Sequence, residues 1–171
     1  MNIHPLIVHF PIALLVLYVV FELLPLERWY PYAAWGDIKA ILVCFGGLGL
    51  LAALLTGQLA ESSLLAQASE NALHIHKMLA GVSTAVFGLI ALAYFIRWAF
   101  DKHAVFLKPL QENLPFIQAY SDIILKQWIV VPLAIVGVVV LFLTGTLGAI
   151  IVYGSNGDFA TQFITSLFKL Q

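Results

Sequence analysis

The chain of 171 residues predicts an all-α integral membrane protein: a four-helix bundle with short interfacial amphipathic helices, forming one domain over residues 1–171. Three observations carry that prediction. Hydrophobic residues make up 62% of the chain and charged residues only 10%, far from the balance of a soluble domain. Four apolar stretches reach the length of about 20 residues that a helix needs to cross a bilayer core. The period-2 polar alternation of an outer-membrane barrel strand is absent, and backbone in lipid must satisfy its own hydrogen bonds, so the stretches are helices.

The first span runs from about Pro5 to Leu24 and opens on HPLIVHFPIALL. It lacks the basic n-region and small-residue cleavage site of a secretory signal and carries Pro5 and Pro11, so it is read as a mature helix. The second, Ile38 to Leu59, contains Cys44, the only cysteine, which excludes a disulfide, a Cys-x-x-Cys-His haem attachment and an iron–sulfur set; packing is its expected role. Gly46, Gly47 and Gly49 thin this helix. The third span covers Met78 to Trp98. The fourth, Ile129 to Val152, carries Thr144, Gly145, Thr146 and Gly148 near its end, which serve either tight helix packing or, in a sharper reading, a flat ligand beside the histidines.

The connections sort by face. With four spans both termini share a face, A, and the other face is B. Residues 26–37, at B, read as an aromatic turn in the interface. Residues 104–127, also at B, are broken by Pro109 and Pro115 and then place Phe116, Ile117, Tyr120, Ile123 and Ile124 at helical spacing, the mark of an amphipathic helix on the membrane. At A, residues 61–73 are polar and helix-compatible. The tail carries Phe159, Phe163, Ile164, Leu167 and Phe168 on one face, with Asp158 as its cap.

Arg28, Lys39, Arg97, Lys102, Lys108 and Lys126 fall at B, against Lys77 and Lys169 at A. That bias makes B cytoplasmic, with both termini extracytoplasmic. All four tryptophans, Trp29, Trp35, Trp98 and Trp128, also lie near B, at headgroup depth.

Four of the five histidines, His4, His9, His74 and His76, then share face A; His103, at B, reads as facing headgroups. Imidazole is the commonest metal ligand and titrates near neutrality, so a cluster at one depth points to metal, haem or protons. On a regular helix His4 and His9 point about 140° apart and His74 and His76 about 200° apart, so each helix offers one inward histidine. Two such histidines on different helices are what bis-imidazole ligation of haem b requires; with water they could also hold zinc or copper. His9 and His76 are the expected ligands: His9 lies deeper than His4, and Pro11 could re-aim its turn. His76 lies nearer the apolar run than His74, one turn before Ala80 and Gly81. His4, His74 and Tyr153 complete the expected cofactor site, orienting ligands or meeting a propionate or quinone headgroup. The structural alternative is that the histidines cap backbone and bond to Gln58, Glu61 or Tyr153. Few cations at A, namely Lys77, Lys169 and the amino terminus, are available to propionates.

The opening HPLIVHFPIALL, the Thr56–Gly57 pair, a histidine heading the third helix and the glycine-bearing end of the fourth before Val152 and Tyr153 resemble a bacterial family of predicted four-helix membrane proteins, domain of unknown function 2231. The resemblance implies association with haem or redox proteins, sometimes joined to c-type cytochrome or Rieske-like modules. It selects His4, Pro5, His9 and Pro11, and leaves His74 and His76 as alternatives. Ser155 and Asn156 stand where the family carries basic residues.

Three functions are in view. The first is electron transfer in a respiratory or photosynthetic chain, through haem b or a quinone near the outer face of a bacterial inner membrane, with an extracytoplasmic cytochrome or other membrane subunits as partners. The second is an accessory or assembly subunit with structural histidines. A metal- or proton-linked transporter comes last, because no span centre carries an acidic or basic residue. No HExxH, GxSxG or phosphate-loop pattern occurs, and nothing suggests a nucleic-acid partner.

Overall fold

A computed structural model describes residues 4–64, 70–102, 113–153 and 159–168; within these, the side chains of residues 5, 61–64, 153, 159–160 and 167–168 are not described. Seven helices cover this part of the chain: α1 (His4–Leu23), α2 (Leu26–Trp29), α3 (Trp35–Leu64), α4 (Glu70–Lys102), α5 (Pro115–Ile124), α6 (Gln127–Tyr153) and α7 (Phe159–Phe168). Helices α1, α3, α4 and α6 are long and apolar enough to cross a membrane. They form a ring in which α1 packs on α3, α3 on α4, α4 on α6, and α6 returns to α1.

Each long helix is apolar on nearly every side, so hydrophobicity alone does not tell the bundle interior from the lipid face. The interior is instead a stripe with alternating steps of four and three residues, the repeat of closely packed helices. On α1 it runs through Pro11, Leu15, Tyr18 and Glu22, all buried. On α3 it takes in Lys39, Val43, Leu50 and Ala53, with Gly46 in phase between them. On α4 it takes in Ser83, Phe87, Ile90 and Tyr94, and on α6 Val130, Ala134 and Leu141. Leucines and phenylalanines off these stripes, such as Leu48, Leu55, Phe95 and Phe142, face outward, where lipid covers them at no cost.

Helix α1 lies close against α3 because α3 has no side chain at two of the crossing points. A Cβ on Gly46 would stand 2.6 Å from Leu15 Cδ2, and one on Gly49 would stand 2.9 Å from Pro11 Cβ. Helix α1 continues through Pro11, whose ring fills the space left by Gly49. Cys44 is half-buried, and its thiol donates to Ala91 O across 3.5 Å, a packing role between α3 and α4.

The shorter helices dock at the ends. Two hydroxyls tie α5 to α4, with Tyr120 donating to Leu89 O at 2.7 Å and Ser121 to Ala93 O at 2.8 Å. Phe116 and Ile123 remain exposed, as an interfacial helix requires. At the other end α7 buries Ile164 in a second small core with Ala72, Leu147 and Ile150, while Phe163 is exposed. Asp158, the expected cap of this helix, lies outside the described residues, as do His103 and Pro109.

Candidate functional site

The start of α1, the last part of α3, the start of α4 and the last part of α6 meet at the A end. His4 sits in the first turn of α1 and is half-buried, with Nδ1 3.0 Å from Thr56 Oγ1 on α3. The Thr56 hydroxyl donates its single hydrogen back along its own helix, to Ala52 O at 3.0 Å and Ala53 O at 3.1 Å. With its hydrogen spent there, it suits the neutral His4 tautomer that carries the proton on Nδ1 and the lone pair on Nε2. Gly57 gives this ring its place: a Cβ there would stand 3.2 Å from His4 Cε1.

His76 repeats the arrangement on the opposite pair of helices. Its Nδ1 donates to Thr144 O on α6 at 2.9 Å, which again leaves Nε2 with the lone pair. Thr144 O is in reach because Gly148, one turn on, carries no side chain; a Cβ there would stand 3.3 Å from His76 Cε1. The two imidazoles are close enough to act on each other electrostatically. Burial holds the pKa of His4 below its ordinary value of 6.5, with a backbone hydrogen bond to Ala53 working the other way.

The structure thus brings together His4, Thr56 and Gly57 on one side, and His76, Thr144 and Gly148 on the other. His9 and His74 are both exposed. The inward histidine of α1 is His4 rather than His9, which reverses the order drawn from depth. Helix α1 continues through Pro11, and His9, two residues before it, is exposed. Tyr153 ends α6 at the same end of the bundle, and its side chain lies outside the described residues. Gly148 accommodates His76 itself. Gly145 has open space where its Cβ would be and borders an apolar cavity of about 360 Å³ toward α1, lined also by Ile12, Val16 and Phe142. Among the described residues, no group of three His, Cys, Asp or Glu side chains is placed to hold a metal ion.

At the B end the structure reveals a second polar group that the span-centre argument missed. Glu22 of α1 accepts from the Tyr94 hydroxyl of α4 at 2.8 Å and stands 3.4 Å from the Lys39 ammonium of α3. The side chains of Lys39 and Glu22 are only 8% and 3% exposed, a desolvated ion pair near the ends of two spans. Tyr18 meets Tyr94 edge-on, with ring centroids 5.9 Å apart.

The match that assigns the chain extends over residues 1–158, to a family described as predicted membrane protein, DUF2231. The chain belongs to this family. No curated protein and no solved structure matches it. Membership agrees with the four candidate spans, and the protein is embedded in a lipid bilayer.

Proposed function

We propose that this DUF2231 protein is an electron-transfer subunit of a bacterial inner membrane, holding haem b or a quinone between His4 and His76 at an extracytoplasmic A face. The observation that supports this reading is the pair of anchored Nδ1 atoms. A histidine that ligates metal almost always donates its other ring N–H to a carbonyl, carboxylate or water, which fixes the tautomer and aims Nε2. His76 does so to Thr144 O, and His4 does the same to a hydroxyl whose own hydrogen is committed elsewhere. Two neutral imidazoles from helices α1 and α4 fit the donor set of a six-coordinate b-type haem. Haem bound there supplies one-electron chemistry. His4 and His76 would hold it, Thr56 and Thr144 would orient them, and Lys77, next to His76 and exposed, provides a cation for a propionate. A quinol would meet the same two lone pairs with its hydroxyl groups. An extracytoplasmic cytochrome or a neighbouring membrane subunit is the expected partner.

A second reading rests on the same hydrogen bonds. They join α1 to α3 and α4 to α6, so they also serve an accessory subunit whose histidines only hold helices together. The test is the visible spectrum of the protein purified in mild detergent, oxidised and then reduced. Electron transfer through haem predicts a Soret band and sharp reduced α-bands, lost or converted in His4→Ala and His76→Ala and little changed in His9→Ala and His74→Ala. A colourless preparation whose lipid extract holds no quinone refutes the first reading and favours the second.

A further inference from the structure

The buried Lys39 at the B end faces both an ion-pair partner and a cavity. Its ammonium has three donors, and among the described residues its one hydrogen-bond contact is Glu22 Oε1, at the long distance of 3.4 Å. An acceptor entering beside Lys39 would meet the ammonium donors that Glu22 leaves over. Lys39 lines a cavity of about 190 Å³, far above the roughly 10–15 Å³ that one water requires.

The walls of this cavity carry both signs of charge. Lys39 and Arg97 supply cations, and Arg97 also pairs with Asp122 at 3.1 Å. Glu22, Glu27, Asp37 and Asp101 supply carboxylates; Glu22 pairs with Lys39 and Asp37 with Lys102, each at 3.4 Å, whereas Glu27 and Asp101 have no ion-pair partner among the described residues. Both of these are exposed, and Trp98, a residue type that anchors at headgroup depth, forms part of the wall. Gly36 adds no bulk, having nothing within 4 Å of where its Cβ would be. The cavity thus offers donors to an anion and unpaired carboxylates to a cation, at the depth where lipid headgroups lie.

We propose that this cavity binds the headgroup of an aminophospholipid, with the phosphate on Lys39 and Arg97 and the primary ammonium at Glu27 and Asp101. A phosphate oxygen would accept a charge-assisted hydrogen bond from Lys39 beside the one to Glu22. A primary ammonium has three N–H donors for the carboxylates, which a choline headgroup lacks and a glycerol headgroup replaces with neutral hydroxyls. The carboxylates also repel lipids whose headgroup is only anionic.

The test is native mass spectrometry of the full chain in detergent with equal amounts of phosphatidylethanolamine, phosphatidylcholine and phosphatidylglycerol. The expected result is retention of phosphatidylethanolamine about tenfold over either competitor, about 1.4 kcal/mol. Glu27→Gln with Asp101→Asn, both at exposed positions, should abolish the preference over phosphatidylcholine while the circular dichroism spectrum stays the same. Equal retention of all three lipids, a preference for phosphatidylglycerol, or a preference unchanged in the double variant overturns the proposal. Displacement of the lipid by soluble phosphoethanolamine at similar concentration assigns the site to a soluble amine phosphate and overturns it as well.

Discussion

Replacing Lys39 by methionine separates a desolvated ion pair from a surface one. The side chains of Lys39 and Glu22 are both buried, and removing the ammonium leaves the Glu22 carboxylate without a cation at contact distance, its nearest remaining donor among the described residues being the Tyr94 hydroxyl at 2.8 Å. Removing one partner of a buried pair costs about 3–5 kcal/mol. The adjoining cavity of about 190 Å³ can admit water, which places Lys39→Met toward the lower end, about 3 kcal/mol. Glu22→Gln combined with Lys39→Met removes both charges and keeps an acceptor for Tyr94, so the double variant should fall within about 1 kcal/mol of the parent. Tyr94→Phe removes one hydrogen bond to a charged acceptor and should cost about 1.5–3 kcal/mol. Equilibrium unfolding in mixed micelles, followed by far-ultraviolet circular dichroism, measures all three. A cost below about 1 kcal/mol for Lys39→Met, the range of exposed pairs, would show that the pair is solvated and refute the argument. So would a double variant as unstable as the single one.

Further outcomes follow from the A end and from the topology. Gly148→Ala sets a Cβ 3.3 Å from His76 Cε1 and should weaken the His76–Thr144 bond, lowering the unfolding midpoint, whereas Gly145→Ala meets open space and should gain up to about 1 kcal/mol of helix propensity. The lowered pKa of His4 means that the unfolded chain takes up its proton first as pH falls. Its contribution to stability is therefore present above pH 6.5 and lost as pH drops from 6.5 through the lower folded value, a dependence that His4→Gln should remove from unfolding curves measured across that window. In a Cys44→Ala background, Tyr32→Cys at the exposed B end should react with an impermeant thiol reagent from the cytoplasmic side only, and His74→Cys from the opposite side only; the reverse pattern would invert the orientation.

Composition and span length were enough to find four transmembrane helices, because the bilayer imposes a length that apolar runs either reach or miss. They were also enough for the interfacial helices, whose apolar residues recur at helical spacing. Long-range hydrogen bonds were not legible in this way. Nothing local to His76 names Thr144 O as its acceptor, since that pairing depends on how α4 and α6 pack. Nor does anything near Gly148 show whether its missing side chain serves a helix, a ligand or, as here, an imidazole.

The choice between His4 and His9 was legible, but in phase rather than depth. Seven residues make nearly two helical turns, so His4 shares a face with Pro11, and Pro11 begins the buried series Leu15, Tyr18, Glu22. His9, two residues before Pro11, lies about 200° away from it. The same rule picks His76 over His74, because His76 stands seven residues before Ser83 in the series Ser83, Phe87, Ile90, Tyr94. Extended to the other ends, it brings Glu22, Lys39 and Tyr94 to the opposite pole of the same interior. Each of these three helices places a polar residue on the stripe that faces the bundle near each end, His4 and Glu22 on α1, Thr56 and Lys39 on α3, His76 and Tyr94 on α4, with Leu15, Val43 and Phe87 between them. Small side chains alone would have been enough for packing at those ends. Ionisable groups held out of lipid at both poles, with an apolar core between them, form two separate polar clusters. A substitution at the Lys39 pole should therefore leave the His76 pole unchanged in any spectroscopic assay, and coupling between the two would require that core to rearrange.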